Sequence, residues 1–186
     1  TGWSNVLFRT WGNMLDIKTG RKFYLAIFLI SAAMLGYGYY LQFVEGLEPC
    51  PLCIFQRIAY LGIIVFAFAG LVHGPGKAGR LAYSGLILVS AVTGAAIAGR
   101  QVWLQHLPPE EVPACGPGLD FMLEVFPLAD ALKMVFTGSG ECAEVDWTFL
   151  GFSIAEWSLA WFIAFAAAAL AHMVQSMKQR KLFAGL

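Results

Sequence analysis

The stretch CPLCIFQRIAYLGIIVFAFAGLV, residues 50–72, decides how this chain folds. It opens on a Cys-x-x-Cys and continues as an apolar run whose only charge is Arg57. About 20 such residues in a helix cross the hydrocarbon core of a bilayer. Three further runs match it, from about Phe23 to Val44, Leu81 to Leu104 and Ile154 to Gln175. With the run from about Cys53 to Val72 they make four candidate spans. A soluble core large enough to bury four such helices does not fit in 186 residues. The expected fold is therefore an all-α integral membrane protein, one domain over residues 1–186, built as a four-transmembrane-helix bundle.

Composition agrees. Hydrophobic residues make up 59% of the chain and charged ones 13%, against roughly 25% in an ordinary soluble domain. Mean hydropathy is +0.67, and twelve Lys and Arg balance twelve Asp and Glu. Disorder, nucleic-acid binding and a conventional soluble enzyme are all excluded on these grounds.

Charge placement gives the orientation. Arg9, Lys18, Arg21 and Lys22 precede the first span, Lys77 and Arg80 separate the second from the third, and Lys178, Arg180 and Lys181 follow the fourth. By the positive-inside rule that side is cytoplasmic, and both termini lie there. The acids are biased the other way: the long outer loop, about 105–153, carries eight of them against the single Lys133. Its apolar Phe121, Met122, Val125, Phe126, Leu132 and Phe136 predict a short helix resting on the outer membrane surface, interrupted or bent at Pro127. At the N-terminus, Trp3, Leu7, Trp11 and Met14 recur at helical spacing and predict an amphipathic helix in the inner interface, with no cleavable leader before the first span. Gly85, Ala91, Ala95 and Gly99, and the run Ala166 to Ala169, read as close helix packing.

This topology puts all four cysteines outside, which implies an oxidising compartment. Cys50 and Cys53 stand at the outer end of the second span, and Cys115 and Cys142 in the long loop. Four cysteines allow three pairings; the natural one joins Cys50 to Cys53 and Cys115 to Cys142, but the sequence does not fix it. As a structural staple, a Cys50–Cys53 bridge closes too small a ring to constrain the unfolded chain much. As zinc ligands, Cys115 and Cys142 lack the close spacing of a second pair, and no metal is expected. Haem attachment would need His where Ile54 stands. Redox chemistry is the reading that remains. Pro49 and Pro51 place Cys53 in the first turn of its helix, and Arg57, four residues on, shares its face; a helix N-terminus and a nearby cation both favour a thiolate. An Arg in an apolar span is costly and usually functional, although it can simply snorkel to the headgroups. His106, at the outer end of the third span, is a candidate proton carrier or hydrogen-bond donor for a bound cofactor, and Arg100 is expected to snorkel.

Cys50-Pro51-Leu52-Cys53-Ile54-Phe55-Gln56-Arg57 resembles the motif of DsbB, the bacterial disulfide bond formation protein B family. The resemblance extends to Gly140-Glu141-Cys142-Ala143-Glu144, Trp147, Phe149-Leu150-Gly151 and all four spans. It implies a multi-pass protein of the bacterial inner membrane, with periplasmic cysteines, that reoxidises a periplasmic thioredoxin-fold oxidase of the DsbA type. On that resemblance Cys115 takes the partner's thiolate, with Cys142 as its disulfide mate, and electrons pass to Cys50 and Cys53. Cys53 then engages ubiquinone or menaquinone, with Arg57 and His106 near the quinone head. Two alternatives stand beside it: a vitamin K epoxide reductase-like quinone reductase, whose redox motif would occupy a late span rather than open the second, and a non-catalytic membrane scaffold stapled by static disulfides.

Overall fold

A computed structural model describes residues 2–112, 127, 140–145 and 147–184. Four long helices dominate them: α1 (Gly2–Phe43), α2 (Pro51–His73), α3 (Lys77–Gln105) and α4 (Ile154–Ala184). Their membrane-crossing parts are Gly20–Phe43, Pro51–His73, Lys77–Gln105 and Ile154–Met177. Each expected span is present. The third begins four residues earlier than its apolar run, because the helix continues through Lys77 and Arg80 and buries the Arg80 side chain. The N-terminal stretch is helical, as its spacing predicts, but it runs without a break into the first span rather than forming a separate element. The surface helix expected over residues 121–136 lies outside the described residues, Pro127 excepted.

Local chemistry sets the helix ends. At α2, Cys50 is the extended N-cap residue and Pro51 occupies the first helical position, where its missing N–H costs nothing. At the other end Gly74 takes a left-handed conformation (φ 53°) and its N–H donates to the Gly70 carbonyl, 3.2 Å. Thr148–Phe149 (β1) and Phe152–Ser153 (β2) form a two-stranded hairpin just before α4. Its turn residues Leu150 and Gly151 both have positive φ, 54° and 84°, as a two-residue turn of the primed type requires. Ser153 and Glu156 then close a capping box on α4: the Ser153 N–H donates to Glu156 Oε2 (2.7 Å), and the Glu156 N–H donates to Ser153 Oγ (3.3 Å).

In the bundle α1 packs on α2, α2 on α3 and α3 on α4. The main core joins Tyr24 and Ile27 of α1 to Tyr60 and Ile63 of α2, Ile87 and Ala91 of α3, and Phe162 and Phe165 of α4. Small residues do mediate close approach, though not all those expected. Ala91 and Ala169 are fully buried, whereas Gly85 has open space where a Cβ would stand. A tight contact is at Gly94, one helical turn from Ala91, where the Phe162 ring comes close. At the inner end a buried polar cluster ties three helices: Tyr24 Oη lies 3.4 Å from Ser84 Oγ, which lies 2.9 Å from His172 Nδ1, and His172 stacks on Phe23 at 4.1 Å. Arg100 lies over the Trp103 ring, 4.1 Å from its centroid.

Candidate redox site

The short element carrying Cys142, a 3-10 turn over Gly140–Cys142, is seated on the outer ends of α2 and α3. Cys142 is 0% exposed and packs with Leu52, Ile97 and Leu104, with Cys50 against the same cluster. Three of the four cysteines are thereby gathered at one point. Cys50 and Cys53 are not bridged to each other in this structure, and Cys50 Sγ donates to Cys53 Sγ at 3.0 Å. Hydrogen bonding to Cys142 and to Cys53, and then burial, pushes the Cys50 thiol up. The remaining cysteine, Cys115, lies outside the described residues.

Arg57 is placed on the same side of α2 as Cys53, as its spacing predicts, but its donors go elsewhere. They reach Gln42 Oε1 and the Gly38 carbonyl (3.2 Å), both on α1, and the guanidinium lies 4.8 Å from the centroid of the Tyr39 ring. Arg57 is therefore held against α1 rather than extended to the headgroups. The polar group that meets the sulfurs is Gln101 of α3, only 4% exposed, whose Nε2 stands 3.4 Å from Cys50 Sγ and 3.3 Å from Cys53 Sγ. Gln101 Oε1 accepts from Gln56 Nε2 at 2.6 Å. Gln101 escaped the sequence reading because that reading followed charges; an uncharged carboxamide within an apolar span was the available signal.

Cys50, Cys53, Arg57 and Gln101 share the wall of a cavity of about 500 Å³ that opens between the outer ends of the helices. That volume is in the range of small-molecule sites. The rest of the wall is largely apolar and aromatic, including Leu35, Leu41, Trp147, Trp157 and Trp161. Tyr60, two turns along α2 from Cys53, also lines it, with its side chain buried and Ser158 on the same wall. His106 is not part of this wall. It caps α3 with its ring 67% exposed, Nδ1 2.8 Å from the Val102 carbonyl and Nε2 4.0 Å from Glu156 Oε1. The helix ends at Gln105, and the Val102 carbonyl in its last turn holds the exposed ring of His106.

A four-span bundle that gathers thiols at the rim of an apolar cavity defines a multi-pass membrane thiol–disulfide protein. The family model "Disulfide bond formation protein DsbB" matches residues 20–172. The chain is 51% identical over 153 residues to Disulfide bond formation protein B of Azoarcus sp. (strain BH72), covering 82% of this chain and 90% of the relative. It is 53% identical over 150 residues to the protein of that name from Hahella chejuensis, covering 80% and 90%, and 49% over 156 residues to that from Methylococcus capsulatus, covering 84% and 95%. The chain belongs to the DsbB family.

Proposed function

We propose that this protein is a quinone-dependent thiol oxidase of the bacterial inner membrane that regenerates a periplasmic DsbA-like, thioredoxin-fold oxidase. The observation that carries the reading is the sulfur cluster itself: Cys142, from a segment far away in sequence, is buried against Cys50, and Cys50 and Cys53 line the wall of a largely apolar cavity. Static staples would have no reason to line a ligand-sized cavity. The excess of basic residues on one side and acidic residues on the other supports cytoplasmic termini and periplasmic cysteines.

Thiol–disulfide exchange proceeds by attack of a thiolate on a disulfide sulfur. In the proposed relay a Cys115–Cys142 disulfide is attacked at Cys115 by the partner's thiolate, and Cys142 leaves as the thiolate. The partner's second thiol then resolves the mixed disulfide, so the partner departs oxidised and Cys115 is reduced. Cys142, already seated against Cys50, attacks that sulfur of a Cys50–Cys53 disulfide; an S–S bond forms between Cys142 and Cys50, and Cys53 leaves as the thiolate. Cys115 then attacks Cys142 and restores the loop disulfide, leaving two electrons and the balancing protons on Cys50 and Cys53. The buried Tyr60 hydroxyl, the positive charge of Arg57 and the largely apolar wall beside Cys53 fit a ubiquinone or menaquinone head. When bound, that quinone supplies the two-electron, two-proton acceptor. Arg57 contributes fixed positive charge, and the tryptophans exclude water.

The test is anaerobic quinone reduction by the purified protein supplied with a reduced thioredoxin-fold dithiol protein, beside Cys53→Ser and Cys115→Ser variants. Quinone-dependent thiol oxidation by the wild type that is lost in both variants is the expected result. No turnover with either quinone, from folded protein with its disulfides intact, returns the static scaffold to first place.

A further inference from the structure

Gln101 meets both sulfurs of the Cys50–Cys53 pair, and its orientation is not arbitrary. Its carbonyl oxygen accepts from Gln56 Nε2 at 2.6 Å, which turns its two N–H donors toward the sulfurs at 3.3 and 3.4 Å. Both carboxamides are 4% exposed, so water does not compete for them. The Cys53 S–H also reaches Gln101 Oε1 at 3.6 Å, which lets the same carboxamide serve the pair whether Cys53 carries a proton or not. Closing the pair into a disulfide removes the negative or strongly polar sulfur that these donors address. A disulfide sulfur is a much weaker acceptor than a thiolate. The carboxamide therefore interacts unequally with the two redox states, and a group that stabilises the reduced form makes a dithiol pair a stronger oxidant.

We propose that Gln101 sets the redox poise of the Cys50–Cys53 pair by donating to its reduced sulfurs, with Gln56 as the positioning residue that aims the Gln101 carboxamide. The inference rests on the redox reading of the pair given above. Arg57 has no part in it, because its donors are committed to α1.

The experiment is a redox titration of the full-length, quinone-free protein in detergent against dithiothreitol and its cyclic disulfide. In each exchange two dithiothreitol thiols are oxidised to the ring disulfide, while the Cys50–Cys53 bond takes up the two electrons and both protons; any proton not kept by Cys53 passes to solvent. Acid quenching, alkylation and peptide mapping report the Cys50–Cys53 pair separately from the loop cysteines. Loss of a hydrogen bond to a charged group is expected to shift the equilibrium roughly tenfold or more. Gln101→Met should therefore make the pair harder to reduce by at least about tenfold, which is about 30 mV. Gln101→Glu should shift it further the same way, since a carboxylate disfavours a neighbouring thiolate. Gln56→Met should move it part of the way, and the Gln56→Met, Gln101→Met double variant should add little to Gln101→Met alone. A purely structural carboxamide would lower the unfolding temperature of these variants and leave the potential in place. Wild-type potentials in the folded Gln101 variants overturn the proposal; if those variants do not fold, a wild-type potential in Gln56→Met does so. Failure of the wild-type pair to form a disulfide in any buffer is a different outcome, and it overturns the oxidase reading along with this one.

Discussion

Gly94→Ala should destabilise the bundle even though alanine is the better helix former. A Cβ built on Gly94 would lie 2.4, 2.5 and 2.6 Å from Cε1, Cζ and Cδ1 of Phe162, whereas carbon atoms in good contact stand about 3.5–4.0 Å apart. The ring must retreat by about 1 Å or more, and it has nowhere free to go. Phe162 is fully buried, with the Tyr60 ring 4.3 Å from it on the cavity side. Overpacking of this kind costs about 1–3 kcal/mol. Helix propensity alone would favour alanine by about 0.8–1.0 kcal/mol, so the two effects have opposite signs and the measurement discriminates between them. Gly85→Ala is the matched control on the same helix, because nothing lies within 4 Å of its added methyl; it should be neutral or stabilising. Thermal unfolding of the full chain in detergent, followed by near-ultraviolet circular dichroism, reads both, at about 2–4 °C per kcal/mol for a protein of this size. In a double-mutant cycle, Phe162→Leu should relieve the Gly94→Ala penalty, with a coupling of about 0.5–3 kcal/mol. A Gly94→Ala protein as stable as the Gly85→Ala control would refute the packing described for α3 and α4.

Other consequences are open to measurement. Leu150, 74% exposed with φ 54°, holds a left-handed conformation that costs a leucine about 1–2 kcal/mol; Leu150→Asn should raise the unfolding temperature, and a drop would mean that the leucine side chain anchors the hairpin. Ser153→Ala removes the α4 cap and the bond to Gln105 Oε1 (2.8 Å), and should cost about 1–2 kcal/mol in the same assay. Arg57→Lys keeps the charge but not the fork that spans Gln42 and Gly38, so the apparent KM for quinone should rise about three- to tenfold; an unchanged KM would show that only the charge matters. Cys50, its thiol pushed up by Cys142, Cys53 and burial, should resist iodoacetamide at pH 8 in reduced, folded protein and react only as pH rises further; rapid labelling of that peptide at pH 8 would contradict the cluster geometry.

The four spans were legible because bilayer crossing imposes a length and an apolarity that leave few alternatives. Cys53 at the start of α2 was legible from Pro49 and Pro51, and the shared face of Cys53 and Arg57 from helical periodicity. The destination of Arg57 was not: periodicity gives a face, while Gln42 and the Gly38 carbonyl become its partners only through the packing of α1 on α2. The same limit applies to Gly94, indistinguishable in the sequence from Gly85 until Phe162 arrives from α4. Depth alone put His106 level with the cysteines, but it does not give the direction of the ring, which is largely exposed. Gln101 joins sulfurs about fifty residues away through contacts that no local pattern encodes.

The seat of Cys142 beside Cys50 has a topological consequence. A Cys50–Cys53 bridge ties a knotless ring of four residues, whereas a Cys50–Cys142 bridge would enclose α2, α3 and most of the outer loop, about 90 residues of chain. On chain-entropy grounds the larger ring restricts the unfolded ensemble by about 3 kcal/mol more than the smaller one. Moving one sulfur–sulfur bond by a few ångströms at the membrane edge thus changes how much freedom half the polypeptide could gain on unfolding. Each turnover would carry the protein through a passing state more resistant to unfolding than the one before it.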